Sequence, residues 1–172
     1  MNRQEESMSN KLNYIIAIFL IFVSSSVFAY ELDKNKPIFL ESDSAKWDED
    51  SQKSTYRGNV VVTQGSMLLT GDLLIVTSKN NEINDMVITG EKSTYKQKTR
   101  SGKIINGEAY KIQYFVDTSK IIFSNQAVLT QSNNVVKSNK IIYITESENI
   151  IAGDKAGKSR VKMTLEPKSE NE

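Results

Sequence analysis

Serine and lysine three residues apart, at Ser93–Lys96 and Ser159–Lys162, come nearest in this chain to a known catalytic arrangement. On a helical turn that spacing sets an amine beside a hydroxyl and supports acyl transfer. Both segments read as strands, where residues three apart face opposite sides of the sheet, so neither pair can act. Asp48, Glu49 and Asp50 offer carboxylates for general acid–base work, but three adjacent acids behind Trp47 read as a solvated turn. The 172 residues contain no His and no Cys. That removes the commonest general base near neutral pH, the thiolate nucleophile and the thiolate metal site. No glycine loop for phosphates and no calcium-loop spacing occurs. The chain reads as a non-enzyme, without catalytic residues, metal or cofactor.

Charge narrows the partners. The net formal charge is +1, too small for a field that would gather nucleic acid, and no nucleic-acid partner is expected. The sign is unevenly spread. Glu41 to Asp50 carries five acids against one Lys, Glu91 to Lys103 carries five bases against one acid, and Asp154 to Lys162 four against one. The middle segment, with Tyr95 interleaved, reads as a solvated hairpin or as a rim facing anionic headgroups.

Residues 15 to 23 are nine consecutive apolar residues, well short of the ~20 that a spanning helix needs. Ser24 to Ser26 and Val27-Phe28-Ala29 follow, the small and tolerated residues that a signal peptidase reads. Residues 1–29 are therefore expected to be a cleavable signal peptide. An uncleaved single-pass anchor is the alternative. Glu5 and Glu6 spoil the positive leader start, and initiation at Met8 would repair it. Export without cysteines suits a bacterial periplasm. Residues 30–166 are left as the folded domain, and 167–172 as a disordered tail.

No apolar period near 3.6 extends over a helical length in that domain. Short runs rich in Val, Ile, Thr and Tyr are punctuated by Gly, Asn, Asp and Ser, the pattern of many short antiparallel strands. Pro37 to Glu41, Ser54 to Arg57, Asn59 to Gln64, Leu73 to Thr77 and Ile141 to Thr145 are examples. The runs repeat. Ser42-Asp43, Gly71-Asp72, Gly107-Glu108 and Ser138-Asn139 recur at spacings of 29, 36 and 31 residues. Two and four residues after each pair stand Ala45 and Trp47, Leu74 and Val76, Tyr110 and Ile112, Ile141 and Tyr143. All are apolar or aromatic, so strand alternation points them inward. A second marker series, Gly58, Gly90, Asn125 and Gly153, suits a bend or bulge with φ > 0, and Tyr56, Ile88, Phe123 and Ile151 lie two residues before it.

A unit of about 30 residues repeated four times predicts stacked rungs. The expected fold is all-β: a twisted open β-jelly roll, or a solenoid-like stack of short antiparallel strands, not a closed barrel. Its interior would be lined by Ile38, Leu40, Trp47, Tyr56, Val60, Val62, Leu74, Val76, Tyr110, Ile112, Tyr114, Phe123 and Tyr143. Such a lining is core first. Open along one side it becomes a groove for acyl chains, at about 0.8 kcal/mol per buried CH₂. Val76, Ile112 and Phe123 are candidate lipid contacts on that ground. The end rungs present strand edges that must twist away or pair with another copy or partner.

Pro37-Ile38-Phe39-Leu40-Glu41-Ser42-Asp43 and Tyr56-Arg57-Gly58-Asn59-Val60-Val61-Val62-Thr63-Gln64-Gly65, with Gly71-Asp72 and Gly107-Glu108-Ala109, resemble the OstA-like family of lipopolysaccharide-transport proteins. The resemblance covers about residues 33 to 166, and departs from the pattern in a short Lys79 to Asn84 loop and a short tail. It implies a β-jelly roll in the periplasm that binds the lipid A part of lipopolysaccharide. It also implies a bridge between an inner-membrane lipopolysaccharide transporter complex and an outer-membrane lipopolysaccharide assembly protein, built by head-to-tail self-association of like folds. Ile38, Leu40, Tyr95, Tyr114 and Val116 match the family's lipid-contacting positions; all but Tyr95 also fall in the inward register. The alternatives are a membrane-anchored sister component of the same system and a purely structural β-solenoid with a dry interior.

Overall fold

The computed structural model describes residues 33–80, 82–153 and 160–166. The expected leader (1–29) and tail (167–172), and most of the basic segment from Asp154, lie outside these residues. A short 3₁₀ turn, Asp33–Asn35, precedes ten strands: β1 (Ile38–Glu41), β2 (Ser44–Asp48), β3 (Lys53–Gln64), β4 (Met67–Lys79), β5 (Glu82–Lys98), β6 (Ile104–Phe115), β7 (Lys120–Gln131), β8 (Asn134–Ile144), β9 (Asn149–Ala152) and β10 (Lys162–Thr164). All pairings are antiparallel in one sheet, and β3 to β8 follow each other as a meander. The repeat unit is thus a hairpin of two long antiparallel strands, rather than a rung of short ones.

The long strands are bent, and the sequence markers say where. Register shifts fall between Arg57 and Val60, Thr70 and Leu73, Thr89 and Ser93, Glu108 and Lys111, and Ser124 and Ala127. Gly58, Gly71-Asp72, Gly90 and Asn125 lie inside these gaps, Gly107-Glu108 borders one, and Asn139 sits opposite the last. Ser42-Asp43 joins β1 to β2, with the Asp43 amide donating to the Gly58 carbonyl at 3.0 Å; Gly153 ends β9 and donates to the Lys140 carbonyl at 2.9 Å. Both marker series therefore lie on one line across the sheet. Gly58, at φ +77°, shows why a glycine stands there: a Cβ would also collide with the Asp43 carboxylate.

The line divides the sheet into two halves of eight strand segments each. One half begins with β2 against Lys53–Arg57 and ends with β9 against Ile141–Ile144. The other begins with β1 against Val61–Gln64 and ends with β10 against Val135–Lys137. A bulge resets alternation by one residue. In β4, β5, β6 and β8 the buried positions skip accordingly, from Leu69 to Leu74, Ile88 to Ser93, Ala109 to Ile112 and Ser138 to Ile141. Both halves thereby keep their apolar side chains on the same inner face. That is the twisted open jelly roll expected of the sequence.

Four residues expected inside are exposed instead, for two reasons: the bulges and the sheet ends. Tyr110 lies within the β6 bulge and points outward, 38% exposed. Ile151 pairs with Ile142 on the outer face and is exposed. Ala45 and Trp47 pair with the inward residues Tyr56 and Ser54, yet both are exposed, because β2 ends its half-sheet and nothing covers it.

Candidate functional site

The interior is the candidate site. Its centre is an aromatic cluster spanning the two halves: the Tyr95 ring meets Phe123 edge-on at 5.6 Å and Tyr143 at 6.3 Å between centroids. Tyr95 projects from the distal part of β5, beyond its bulge, while Phe123 and Tyr143 come from the other half-sheet. Edge-to-face geometry matches ring edges to ring faces and adds about 0.5–1.5 kcal/mol per pair beyond burial. Val76, Ile88, Ile112 and Ile121 complete the packing with almost no exposed surface. Gly107 belongs to this centre for steric reasons, since a Cβ there would strike the Phe123 ring.

Away from the fold line the interior turns polar, and the far turns of the two halves are laced together. Tyr114 Oη donates to Gln64 Oε1 at 3.2 Å, and Gln64 Nε2 donates to the carbonyls of Lys34 and Lys36 at 3.1 Å. Asp33 accepts from the Ser66 amide at 2.9 Å, from the Ser66 hydroxyl, and from Gln97 Nε2 at 2.7 Å. Gln97 in turn accepts from the Tyr95 hydroxyl. Lys34 pairs with Glu146, which also accepts from Ser119 at 3.3 Å. Glu148 accepts from the Ser101 amide and hydroxyl at 3.0 and 2.9 Å. Asp33–Lys36 is therefore a strap across a seam, tied to both half-sheets by side chains and by no strand pairing of its own.

The seam's electrostatics follow from its partial burial. Burial, reinforced by the Asp33 and Glu146 carboxylates, pushes the Tyr114 phenol up to about 12, so it stays a neutral donor. The hydrogen bond and charge of Lys34 hold the Glu146 carboxyl below its ordinary range. For Glu148 burial pulls upward, but the Ser101 bonds, with help from Thr99 and Lys103, outweigh it and lower the value. All the interactions named here are hydrogen bonds or ion pairs that water can replace.

The structure brings the sequence-derived site residues together unevenly. Tyr95, Tyr114, Val76, Ile112 and Phe123 are buried in the interior, while Ile38, Leu40 and Val116 are partly buried and pack against it. Ile38 lies opposite Gln64 in the ladder, and Gln64 bonds Tyr114, so the first strand and the third repeat meet at the seam. Asp33, Gln64, Gln97, Glu146 and Glu148 were not anticipated. One signal was available: Gln64 and Gln97 continue the inward alternation of Val60–Val62 and Tyr95, and an amide at an inward position marks a polar lining.

The ends of the roll differ from its middle. Trp47 at one end, and Met163 at the other, project from inner-face positions yet are 58% and 61% exposed. Among the described residues no helix is long and apolar enough to cross a membrane.

Known proteins share this fold. A family model described as LptA/(LptD N-terminal domain) LPS transport protein matches residues 40–149. The chain is 33% identical over 168 residues to the lipopolysaccharide export system protein LptH of Pseudomonas aeruginosa, covering 92% of this chain and 95% of that protein. It is 32% identical over 158 residues to the lipopolysaccharide export system protein LptA of Escherichia coli K12, covering 91% and 85%. The crystal structure of P. aeruginosa LptH, titled the LptA-homologous periplasmic component of the lipopolysaccharide transport device, superposes with a TM-score of 0.73. That match is at 30% identity and covers 78% of this chain and 99% of that one.

Proposed function

The chain belongs to the LptA/LptD N-terminal-domain family of lipopolysaccharide-transport proteins, and from that premise we infer how its geometry serves the task. It is a periplasmic lipopolysaccharide-export component that holds the lipid A acyl chains between the two half-sheets. The observation carrying this reading is the contrast inside one interior: an apolar centre at the fold line, and a water-replaceable polar seam at the opposite side. Acyl chains enter when the seam parts. Ile38, Leu40, Val116 and Tyr114 meet them first, and Val76, Ile112, Phe123 and Tyr95 lie deeper. Tyr114 and Tyr95 retain hydroxyls that can turn to headgroup or water.

The work is binding and passage, with no bond made or broken. Direction comes from the partners: an inner-membrane transporter complex that supplies lipid, and an outer-membrane assembly protein that receives it. Copies join head to tail. Trp47 and Ala45 at one end and Met163 at the other carry the inner face onto the end strands, so stacking by strand addition extends one apolar interior. The acids of Glu41–Asp50 and the bases of the β10 end set the polarity of the joint more than its strength.

Photo-crosslinking tests the reading. A photoreactive residue at position 38 or 114 should form adducts with labelled lipopolysaccharide, and one at the outward Tyr110 should not. Absence of adducts from both inner positions would sink it.

A further inference from the structure

A cleft of about 360 Å³ opens on the outer face of the half-sheet that ends in β10, lined by Lys92, Lys137, Arg160 and Lys162 together with Gln126 and Asn139. Antiparallel register sets Val128 opposite Lys137, and Lys137 directly opposite Lys162. Like charges in directly facing cross-strand positions repel and destabilise the pair. Lys92 arrives from the β5 bulge and Arg160 from just before β10. No carboxylate is among the described residues lining the cleft. Among the described residues, Glu108 pairs with one of the cleft's cations, 3.4 Å from Lys92 Nζ. The β7 bulge adds a second feature. Asn125 and Gln126 are consecutive non-glycine residues in the left-handed region, at φ 67° and 54°. The matching bulge of β3 uses Gly58 and Asn59 instead. Gln in that region is uncommon, and here it brings an amide to the cleft wall.

We propose that this outer cleft is a phosphate-binding site, in which the facing lysines Lys137 and Lys162, with Lys92 and Arg160, hold the phosphate group of a phosphorylated sugar or lipid headgroup. A doubly charged phosphate relieves the Lys137–Lys162 repulsion, and Arg160 adds a planar fork that matches its oxygens. Gln126 and Asn139 donate from their amides. A second copy of the chain fits the cleft less well. If β1 paired beside β10, its outer face would offer one carboxylate, Glu41, against four cations, since Phe39 is its other outward residue. Asp43 and Asp48 already accept from Asn59 and Ser51. That the phosphate belongs to lipopolysaccharide rests on the transport reading; that the cleft binds phosphate does not.

The test uses the full mature chain and thermal unfolding at constant ionic strength, with inorganic phosphate exchanged for chloride. Phosphate should raise the melting temperature of the parent. Lys137→Gln/Lys162→Gln should lose that rise and bind at least fivefold more weakly by calorimetric titration, while Lys96→Gln/Lys111→Gln behaves like the parent. Should the double variant not fold, Lys162→Gln alone carries the same expectation. A deacylated glucosamine disaccharide phosphate binding tenfold more tightly than inorganic phosphate identifies a glycolipid headgroup as the source; equal affinity identifies free phosphate, and either supports the site. The proposal is overturned by a parent that does not respond to phosphate, or by an equal response in the double variant. It is also overturned if that variant disrupts self-association in sedimentation while phosphate binds neither protein. Crosslinking from Tyr114 is independent of all these outcomes, so the cleft and the transport reading fail separately.

Discussion

The middle of the roll and its two ends are built from the same kind of antiparallel strand, with the same alternation, and behave as opposites. At the middle, Tyr95, Phe123 and Tyr143 are at most 1% exposed and every strand has neighbours on both sides. At the ends, Trp47, Met163 and Leu165 are 58–65% exposed. The difference lies in neighbours rather than in residue type. An inner-face aromatic is core wherever the next strand continues the sheet, and a sticky edge wherever the sheet stops. The middle therefore carries stability, and on the proposed reading the ends carry association.

That contrast breaks first if the middle does not hold the fold. Phe123→Ala should cost about 3–5 kcal/mol, read as a lower denaturant midpoint at constant slope; a cost below about 1 kcal/mol, far under that of a buried aromatic, would mean that the centre is loosely packed. Gly107→Ala comes next. Its Cβ must displace the Phe123 ring or Leu129, at about 1–3 kcal/mol, and chemical denaturation of this variant should show a smaller loss than Phe123→Ala.

The ends should show the reverse. Trp47→Ala and Met163→Ser should change stability by no more than ~0.5 kcal/mol while lowering the mass average in sedimentation. A large stability loss with unchanged assembly would erase the distinction. The smallest effect concerns the seam. Glu146 and Glu148 have folded-state values below those of the unfolded chain. Their contribution is therefore complete above the ordinary carboxylate range and fades as pH falls through the lowered values. Below roughly pH 4, amide hydrogen exchange at residues 33–36 and 99–103 should speed up relative to the aromatic centre once intrinsic rates are divided out. Equal protection of seam and centre at that pH would show that the strap is not held by these carboxylates.

Much of this architecture is legible in the chain itself. In the sequence the two marker series stand apart, and the structure shows them to be one fold line crossed by successive strands. Composition and period suffice to find it, because a strand that bends must spend a Gly, Asn or Ser-Asp step at the bend. Alternation located Leu74, Val76, Ile112, Phe123 and Tyr143 in the interior. It failed at Tyr110 because the bulge adds a residue that a strict period of two cannot count. It failed at Trp47 in a different way: the orientation was right, but burial depends on a neighbour that β2 does not have. The seam was the least visible part. Asp33 reaches Gln97 across 64 positions of chain and Ser101 reaches Glu148 across 47, and no local pattern encodes such pairings.

The amino-acid sequence by itself determined the fold class, the repeat, the line of bending, the inner face, and the exclusion of histidine and thiol chemistry, because each follows from residue type and short-range spacing. Only the tertiary structure decided which inner-face residues are sealed and which are left open at the ends. It alone joined the strap to both half-sheets, and placed Lys137 opposite Lys162. Those outcomes depend on which strands become neighbours, and that is a property of the folded sheet.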